Sequence, residues 1–366
     1  MSAGSDSQVV PPPVGTVVAV QANYYRVRLD TFIPPEAKGV DYLLCTRRSR
    51  LKKIGQQVMV GDRVAVEEPD WVDGRGAISH VEPRQTQMDR PPVANANQIL
   101  LVFALAEPNL DPFQLSRFLV KAESTGLSVS LCLNKSDLIT PETRQKWCDR
   151  LQQWGYNPVT ISLHEGSSLI TLQHQLANTI TIVSGPSGVG KSSLINRLIP
   201  AIDLRVNSVS GKLGRGRHTT RHVELFRLPG GGLLADSPGF NQPDLDCTPT
   251  ELAQYFPEIR QLLLEKSCQF SNCLHRTEPN CVVRGNWERY DHYLTFLDET
   301  IAHQETLNHS SEAEESTKLM NNKGENQLQV EPKLSAKKYR QPSRKTQKQT
   351  LRDLCHDIEQ SQTEND

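Results

Sequence analysis

Residues 179–199 read TITIVSGPSGVGKSSLINRLI. Six residues rich in β-branched side chains run into a loop of glycines and serines, and an apolar-periodic stretch follows. The spacing predicts strand, loop and helix in that order. The loop fits the pattern G-x-x-x-x-G-K-[ST], with Gly185, Gly190, Lys191 and Ser192 in the fixed places. Glycine lets a backbone wrap closely around phosphate oxygens with its N–H groups turned inward, and the following helix adds its positive N-terminal end. Gly185, Pro186, Ser187, Gly188, Val189, Gly190, Lys191, Ser192 and Ser193 are therefore expected to cradle a nucleotide's phosphates. Lys191 would reach the β and γ phosphates and Ser192 would hold Mg²⁺.

On the N-terminal side, QILLVFAL (98–105) and SVSLCL (128–133) read as buried strands. PFQLSRFLVKAESTG, PETRQKWCDRLQQWG and SLITLQHQLA read as helices, and NPVTIS as a further strand. Strands alternating with helices predict a parallel α/β sheet. The second strand ends in Asn134-Lys135-Ser136-Asp137. A carboxylate at Asp137 can accept from both N1–H and the N2 amino group of guanine, a donor pair that adenine lacks. Asn134 can tie the base loop to the phosphate loop, and the aliphatic stem of Lys135 can lie over the base. The predicted ligand is GTP or GDP. On the C-terminal side, GGLLA leads into Asp236-Ser-Pro-Gly239. Asp236 at a strand end would contact Mg²⁺ through water, and the Gly239 N–H would sense the γ-phosphate. In ordinary small GTPases the phosphate loop comes first and the Asn-Lys-x-Asp motif last. Here that motif comes first and no second copy follows Gly239, so the domain is predicted to be circularly permuted.

Farther out, residues 14–86 hold five short β-rich runs separated by turn formers such as Gly61-Asp62 and Asp73-Gly74. They predict a small closed barrel, with an OB-fold as the natural candidate. RRSRLKK (47–53) between two of these runs carries five basic residues in seven. Residues 1–13 end in three prolines and are expected to be a flexible lead. Residues 87–246 would form the permuted nucleotide domain and 247–303 a mostly helical domain. Residues 304–366 are polar and poor in aromatics, which predicts a disordered tail, basic from Lys333 to Arg352.

Of eight cysteines, Cys268, Cys273 and Cys281 cluster around His275 as C-x4-C-x-H-x5-C. Three thiols and an imidazole within so short a stretch predict one closed, structural Zn²⁺ site rather than a disulfide framework. The cysteine usage fits a reducing cytoplasm. No apolar run approaches the roughly 20 residues of a membrane helix, and the N-terminus lacks a secretory pattern. Acidic and basic residues, 42 against 41, nearly cancel over the 366-residue chain, so net charge points to no partner. Nothing demands more than a monomer.

Taken together, the permuted order, GPSGVGKSS, RGRHTT (215–220), DSPGF, VGDRV (60–64), RPPVANANQ (90–98) and the Cys/His spacing resemble the RsgA (YjeQ) family over about residues 14–300. The resemblance implies an OB-fold, a permuted GTPase domain and a zinc domain. It also implies binding to the small ribosomal subunit and its rRNA late in assembly, with hydrolysis stimulated by the subunit and coupled to release. By position, Thr219 or Thr220 would be the switch threonine on Mg²⁺. Ser162 stands in the guanine-supporting loop, which usually reads Ser-Ala in the family and reads Ser162-Leu163 here.

Many GTPases place a water-orienting Gln directly after D-x-x-G, where this chain has Phe240. Intrinsic turnover should therefore be slow. His218, beside the two threonines, is the candidate catalytic group within the chain, and ribosomal RNA or protein could order the same loop in trans. RRSRLKK and the basic tail are candidates for phosphate contacts with RNA. Two other readings remain open: a GTP sensor with little turnover, and a metal-trafficking protein, which would need a labile metal site.

Overall fold

The computed structural model describes residues 12–30, 41–89, 91–164, 167–200, 223–236, 244–285, 287–314, 317–320 and 329–332. The chain divides into two compact units, Met1–Thr300 and Ile301–Asp366.

The first unit opens with strands β1 (Val14–Gln21), β2 (Tyr24–Leu29) and β3 (Tyr42–Arg47), helix α1 (Ser49–Lys53), and strands β4 (Arg63–Asp70) and β5 (Arg75–Val81). These five strands close in the order β1-β2-β3-β5-β4, with β1 pairing antiparallel to β4 and β3 parallel to β5. The order is that of a small Greek-key barrel of OB type. Alternate residues such as Tyr25, Val27 and Leu29 on β2 point inward and pack with Leu43, Cys45, Val64, Val66 and Ile78. The basic run RRSRLKK becomes the end of β3 and α1, where Leu51 is buried and anchors the helix.

A hairpin of β6 (Gln87–Asp89) and β7 (Pro92–Ala94) joins the barrel to the sheet. It is clasped onto the barrel at Gly61. That glycine has φ +90°, and a Cβ there would lie 1.9 Å from the Ala94 carbonyl oxygen. Asn95 Nδ2 donates to the Gly61 carbonyl at 3.0 Å, and the wholly buried Asp62 carboxylate receives Arg84 Nε at 2.7 Å.

The sheet contains β8 (Gln98–Ala104), β9 (Ser128–Asn134), β10 (Val159–Thr160), β11 (Ile180–Ser184), β12 (Leu225–Arg227) and β13 (Leu233–Asp236), in the order β10-β9-β8-β11-β13-β12. All neighbours are parallel except the edge strand β12. Every residue of β8 is buried, as a central strand covered on both faces should be. Its side chains alternate between two cores. Ile99, Leu101 and Phe103 pack with Leu115, Phe118 and Leu119 of α2 (Pro112–Glu123) and with Leu151 of α3 (Pro141–Gln153). Leu100, Val102 and Ala104 pack with α4 (Ser167–Leu176) and α5 (Lys191–Leu198). Helix α2 starts where expected, with the Asp111 carboxylate accepting the Phe113 N–H at 2.9 Å and Pro112 in the first turn. The predicted strand NPVTIS shrinks to two residues because it lies at the sheet edge, with a partner on one side only.

After β13 come a short 3₁₀ turn (Leu252–Tyr255), α6 (Pro257–Glu265) and α7 (Tyr290–Glu314). Between α6 and α7 the chain is irregular and holds the Cys/His cluster. Arg289 fastens this region to the sheet domain. Its guanidinium is wholly buried, donates to Glu258 of α6 at 2.7 Å, and lies 4.8 Å from the ring centres of both Trp154 and Phe256. In the second unit, Thr317–Met320 pairs antiparallel with Gln329–Pro332. Among the described residues no helix is long and apolar enough to cross a membrane.

Candidate nucleotide and metal sites

Four strand ends meet along one edge of the sheet. The carboxyl ends of parallel strands are where α/β folds bind ligands, because the following loops and helix N-termini converge there. Gly185 leaves β11 with φ +142°, and a Cβ on it would sit 2.1 Å from the Val102 carbonyl oxygen of neighbouring β8. Gly190 ends the loop and caps α5 with φ +93°, and no side chain caps that helix. The helix starts at Lys191, so the first N–H groups of α5, at Lys191, Ser192 and Ser193, lie at the end of the loop. Lys191 Nζ donates to the Gly185 and Pro186 carbonyls at 2.8 and 2.6 Å, so its ammonium lies inside the curl of residues 185–190.

The base motif is joined directly to this loop. Asn134 is 1% exposed at the end of β9, and its Nδ2 donates to the Val189 carbonyl at 2.8 Å. A Cβ on Gly190 would lie 2.5 Å from that same nitrogen, which explains why the loop needs glycine there. Lys135 adopts φ +58° and donates through Nζ to the Glu107 carbonyl, a contact with no sequence motif to announce it. Ser136 N–H donates to Ile161 at 3.1 Å, bringing the loop after β10 beside the motif. From that loop the fully buried Ser162 hydroxyl bonds to the Asp137 carboxylate and is the main reason it is held below the usual carboxylate range. The Ser162 oxygen also accepts the His164 N–H at 3.2 Å. Leu163 packs against the core on the α4–α5 side of the sheet.

Asp236 ends β13 beside Val183 of β11, one strand over from the phosphate loop. Gly239, Phe240 and the run containing His218, Thr219 and Thr220 lie outside the described residues, as does the basic segment 333–352. Of the five cations in RRSRLKK, Arg47 donates to the Gln56 carbonyl at 2.7 Å and Arg48 pairs with Glu68 at 2.6 Å. Arg50, Lys52 and Lys53 on α1 are exposed.

Cys268, Cys273, His275 and Cys281 bring four donor atoms within 4.8 Å of one another. The Sγ atoms of Cys268 and Cys281 are 3.9 Å apart, and His275 Nδ1 lies 3.6 and 3.4 Å from them. With Zn–S of about 2.3 Å and Zn–N of about 2.0 Å, tetrahedral edges would be about 3.8 Å (S to S) and about 3.5 Å (N to S). The donor set can therefore hold a tetrahedral divalent ion without rearrangement of these three groups. Burial lowers the proton affinity of His275, which keeps the imidazole neutral as a ligand must be.

Comparison with known proteins agrees with this geometry. A family model described as RsgA GTPase matches residues 81–246, and one described as 50S ribosome-binding GTPase matches residues 180–316. A protein named small ribosomal subunit biogenesis GTPase RsgA from Trichormus variabilis is 61% identical over 362 residues, covering 94% of this chain and 98% of the relative. Its namesake from Synechocystis is 53% identical, covering 93% and 95%. Among solved structures, YloQ, described as a circularly permuted GTPase, superposes with a TM-score of 0.66 at 29% identity, covering 82% of this chain and 99% of that one. YjeQ from Thermotoga maritima gives a TM-score of 0.66 at 29% identity, covering 79% and 98%. A closed barrel, a nucleotide loop tied to an upstream Asn-Lys-x-Asp motif, and relatives matched over nearly their full length lead to one conclusion: this chain belongs to the RsgA family of circularly permuted GTPases.

Proposed function

We propose that this GTPase binds the small ribosomal subunit, assists its late maturation, and hydrolyses GTP when the subunit orders its catalytic loop. The observation that supports this best is the Asn134–Val189 hydrogen bond, which joins base recognition to the phosphate loop in the permuted order of the RsgA relatives. In this reading Asn134, Lys135, Ser136, Asp137 and Ser162 bind guanine. Residues 185–193 bind the phosphates, Ser192 and Asp236 hold Mg²⁺, and Gly239 senses the γ-phosphate. His218, Thr219 and Thr220 complete the catalytic loop. Mg²⁺ supplies charge neutralisation at the phosphates, and Lys191 exchanges its carbonyl partners for phosphate oxygens. The four-ligand cluster holds one structural Zn²⁺. Domain limits at residues 86, 246 and 303, contact with rRNA, a monomeric state and a cytoplasmic location belong to the same proposal.

Phe240, in place of a water-orienting Gln, favours a second reading: a GTP sensor with little turnover. One experiment separates the two. GTP hydrolysis is measured for the protein alone, with small subunits and with large subunits. Stimulation by the small subunit alone is expected. Because one matching family description names the 50S particle, equal stimulation by large subunits would overturn the small-subunit assignment, and no stimulation by either would leave the sensor reading.

A further inference from the structure

Glu278 stands three positions after His275 and three before Cys281, yet it contributes no donor atom to the cluster. Its carboxylate turns to the backbone. Oε1 accepts the Leu274 N–H at 2.8 Å, and Oε2 accepts those of Arg276 and Thr277 at 2.8 and 3.0 Å. The carbonyls of the same loop are held from the side of α7. The Tyr293 hydroxyl donates to Leu274 at 2.8 Å and the Tyr290 hydroxyl to His275 at 2.9 Å. Both tyrosines sit on one face of the first turn of α7, and Tyr293 is wholly buried against Phe256. A further bridge, Asn280 Nδ2 to Gln269 Oε1 at 2.9 Å, ties the residue before Cys281 to the residue after Cys268.

These contacts matter because of the conformation they hold. His275 has φ +58°, a left-handed backbone that a side chain with a Cβ adopts at a cost. A loop without support would relax from it and turn the imidazole away from the thiols. Here three N–H groups and two carbonyls of residues 274–277 are fixed by side chains that are not ligands. We propose that Glu278 is a positioning residue that sets this loop in its metal-accepting form. The module then keeps its fold without the ion, and the ion's affinity depends on Glu278. The physical reason is preorganisation: in a small metal domain lacking such supports, binding must also supply the free energy that orders the loop. Groups that orient ligands without touching the metal typically change affinity by about 10- to 100-fold when removed.

The inference rests on reading the cluster as a metal site, and the test distinguishes failure of that reading from failure of this one. The full-length protein, stripped of metal by a chelator, is titrated with Co²⁺ in competition with a chromophoric chelator. Glu278→Ala, Glu278→Gln and, as a ligand control, His275→Ala are treated alike. The metal-free parent should keep its far-UV helical signal. Glu278→Ala should bind Co²⁺ about 10- to 100-fold more weakly with an unchanged visible absorption envelope, since all four ligands remain. Glu278→Gln, whose amide oxygen still accepts, should recover part of the loss, whereas His275→Ala should change the spectrum itself. Affinity in Glu278→Ala within about twofold of the parent, or loss of the helical signal in the metal-free parent, would overturn the proposal. Should the alanine variant aggregate, Glu278→Lys, which offers no acceptor to the loop, takes its place, and affinity in it within about twofold of the parent overturns the proposal equally. Absence of any thiolate-to-Co²⁺ band in the parent would remove the metal reading, and this inference with it.

Discussion

At the scale of single residues, the nucleotide site is set by contacts that leave little slack. Replacing Gly190 by Ala would force a Cβ toward Asn134 Nδ2, 2.5 Å away, at a φ of +93°. Because the same nitrogen holds the Val189 carbonyl, Gly190→Ala should abolish measurable GTP binding while leaving the barrel folded, a result that calorimetry and circular dichroism can check together. Asp137→Asn removes the charged acceptor of the guanine edge. Hydrogen bonds to charged groups contribute about 1.5–3 kcal/mol, so GTP affinity should fall at least about tenfold, with little preference left over ATP. Asp137 also makes a pH prediction. The Ser162 hydroxyl, bonded to its carboxylate, holds that carboxyl below the usual aspartate range in the folded protein. A depressed carboxylate contributes stability that is present above its unfolded value and lost as pH falls through the folded one. Guanine binding should therefore survive acidification past the ordinary carboxylate range. Ser162→Ala should move that acid limb to higher pH, and an unmoved limb would show that Ser162 does not tune Asp137.

At the scale of elements, the connections between domains are specific rather than loose. Arg289 is wholly buried and its partner Glu258 nearly so. Breaking a buried pair from one side leaves an uncompensated charge and typically costs about 3–5 kcal/mol. Arg289→Ala should lower stability to chemical denaturation by that order. Arg289→Met, which refills the space among Trp154, Tyr156 and Phe256, should still leave Glu258 uncompensated, and Arg289→Met with Glu258→Leu should recover much of the loss. A double variant no better than Arg289→Ala would mean the ion pair is not what the site needs. These elements also show the limits of reading outward from motifs. The sequence reads 247–303 as mostly helical, whereas the described residues between α6 and α7 are irregular and hold the metal loop with its left-handed His275. Conversely, the basic run 47–53 offers five cations as candidates for phosphate contacts, yet Arg47 and Arg48 are taken up by Gln56 and Glu68.

At the scale of the whole molecule, net charge near zero makes any contact with RNA a matter of local patches. Arg50, Lys52 and Lys53 project from α1 on the barrel. If they neutralise phosphates, replacing all three with Gln should flatten the dependence of log affinity on log salt by roughly 2–3 units, since each neutralised phosphate contributes about 0.7–0.9. Binding of small subunits measured across a salt series tests this, and an unchanged slope places the RNA surface elsewhere. The nucleotide fold, the permuted order and the four cluster residues were legible from the linear sequence. Each depends on local rules: glycines where a backbone must curl, short continuous apolar runs for buried strands, and donor residues within one short loop. What tertiary structure alone decided were contacts between residues far apart in the chain: Lys135 on Glu107, Gly61 under Ala94, and Arg289 among Trp154, Phe256 and Glu258. Such pairings have no period and no motif. They exist because a closed barrel, a twisted parallel sheet and a capping helical region bring distant backbone and charge into one space, where water is excluded and each polar group must find its partner.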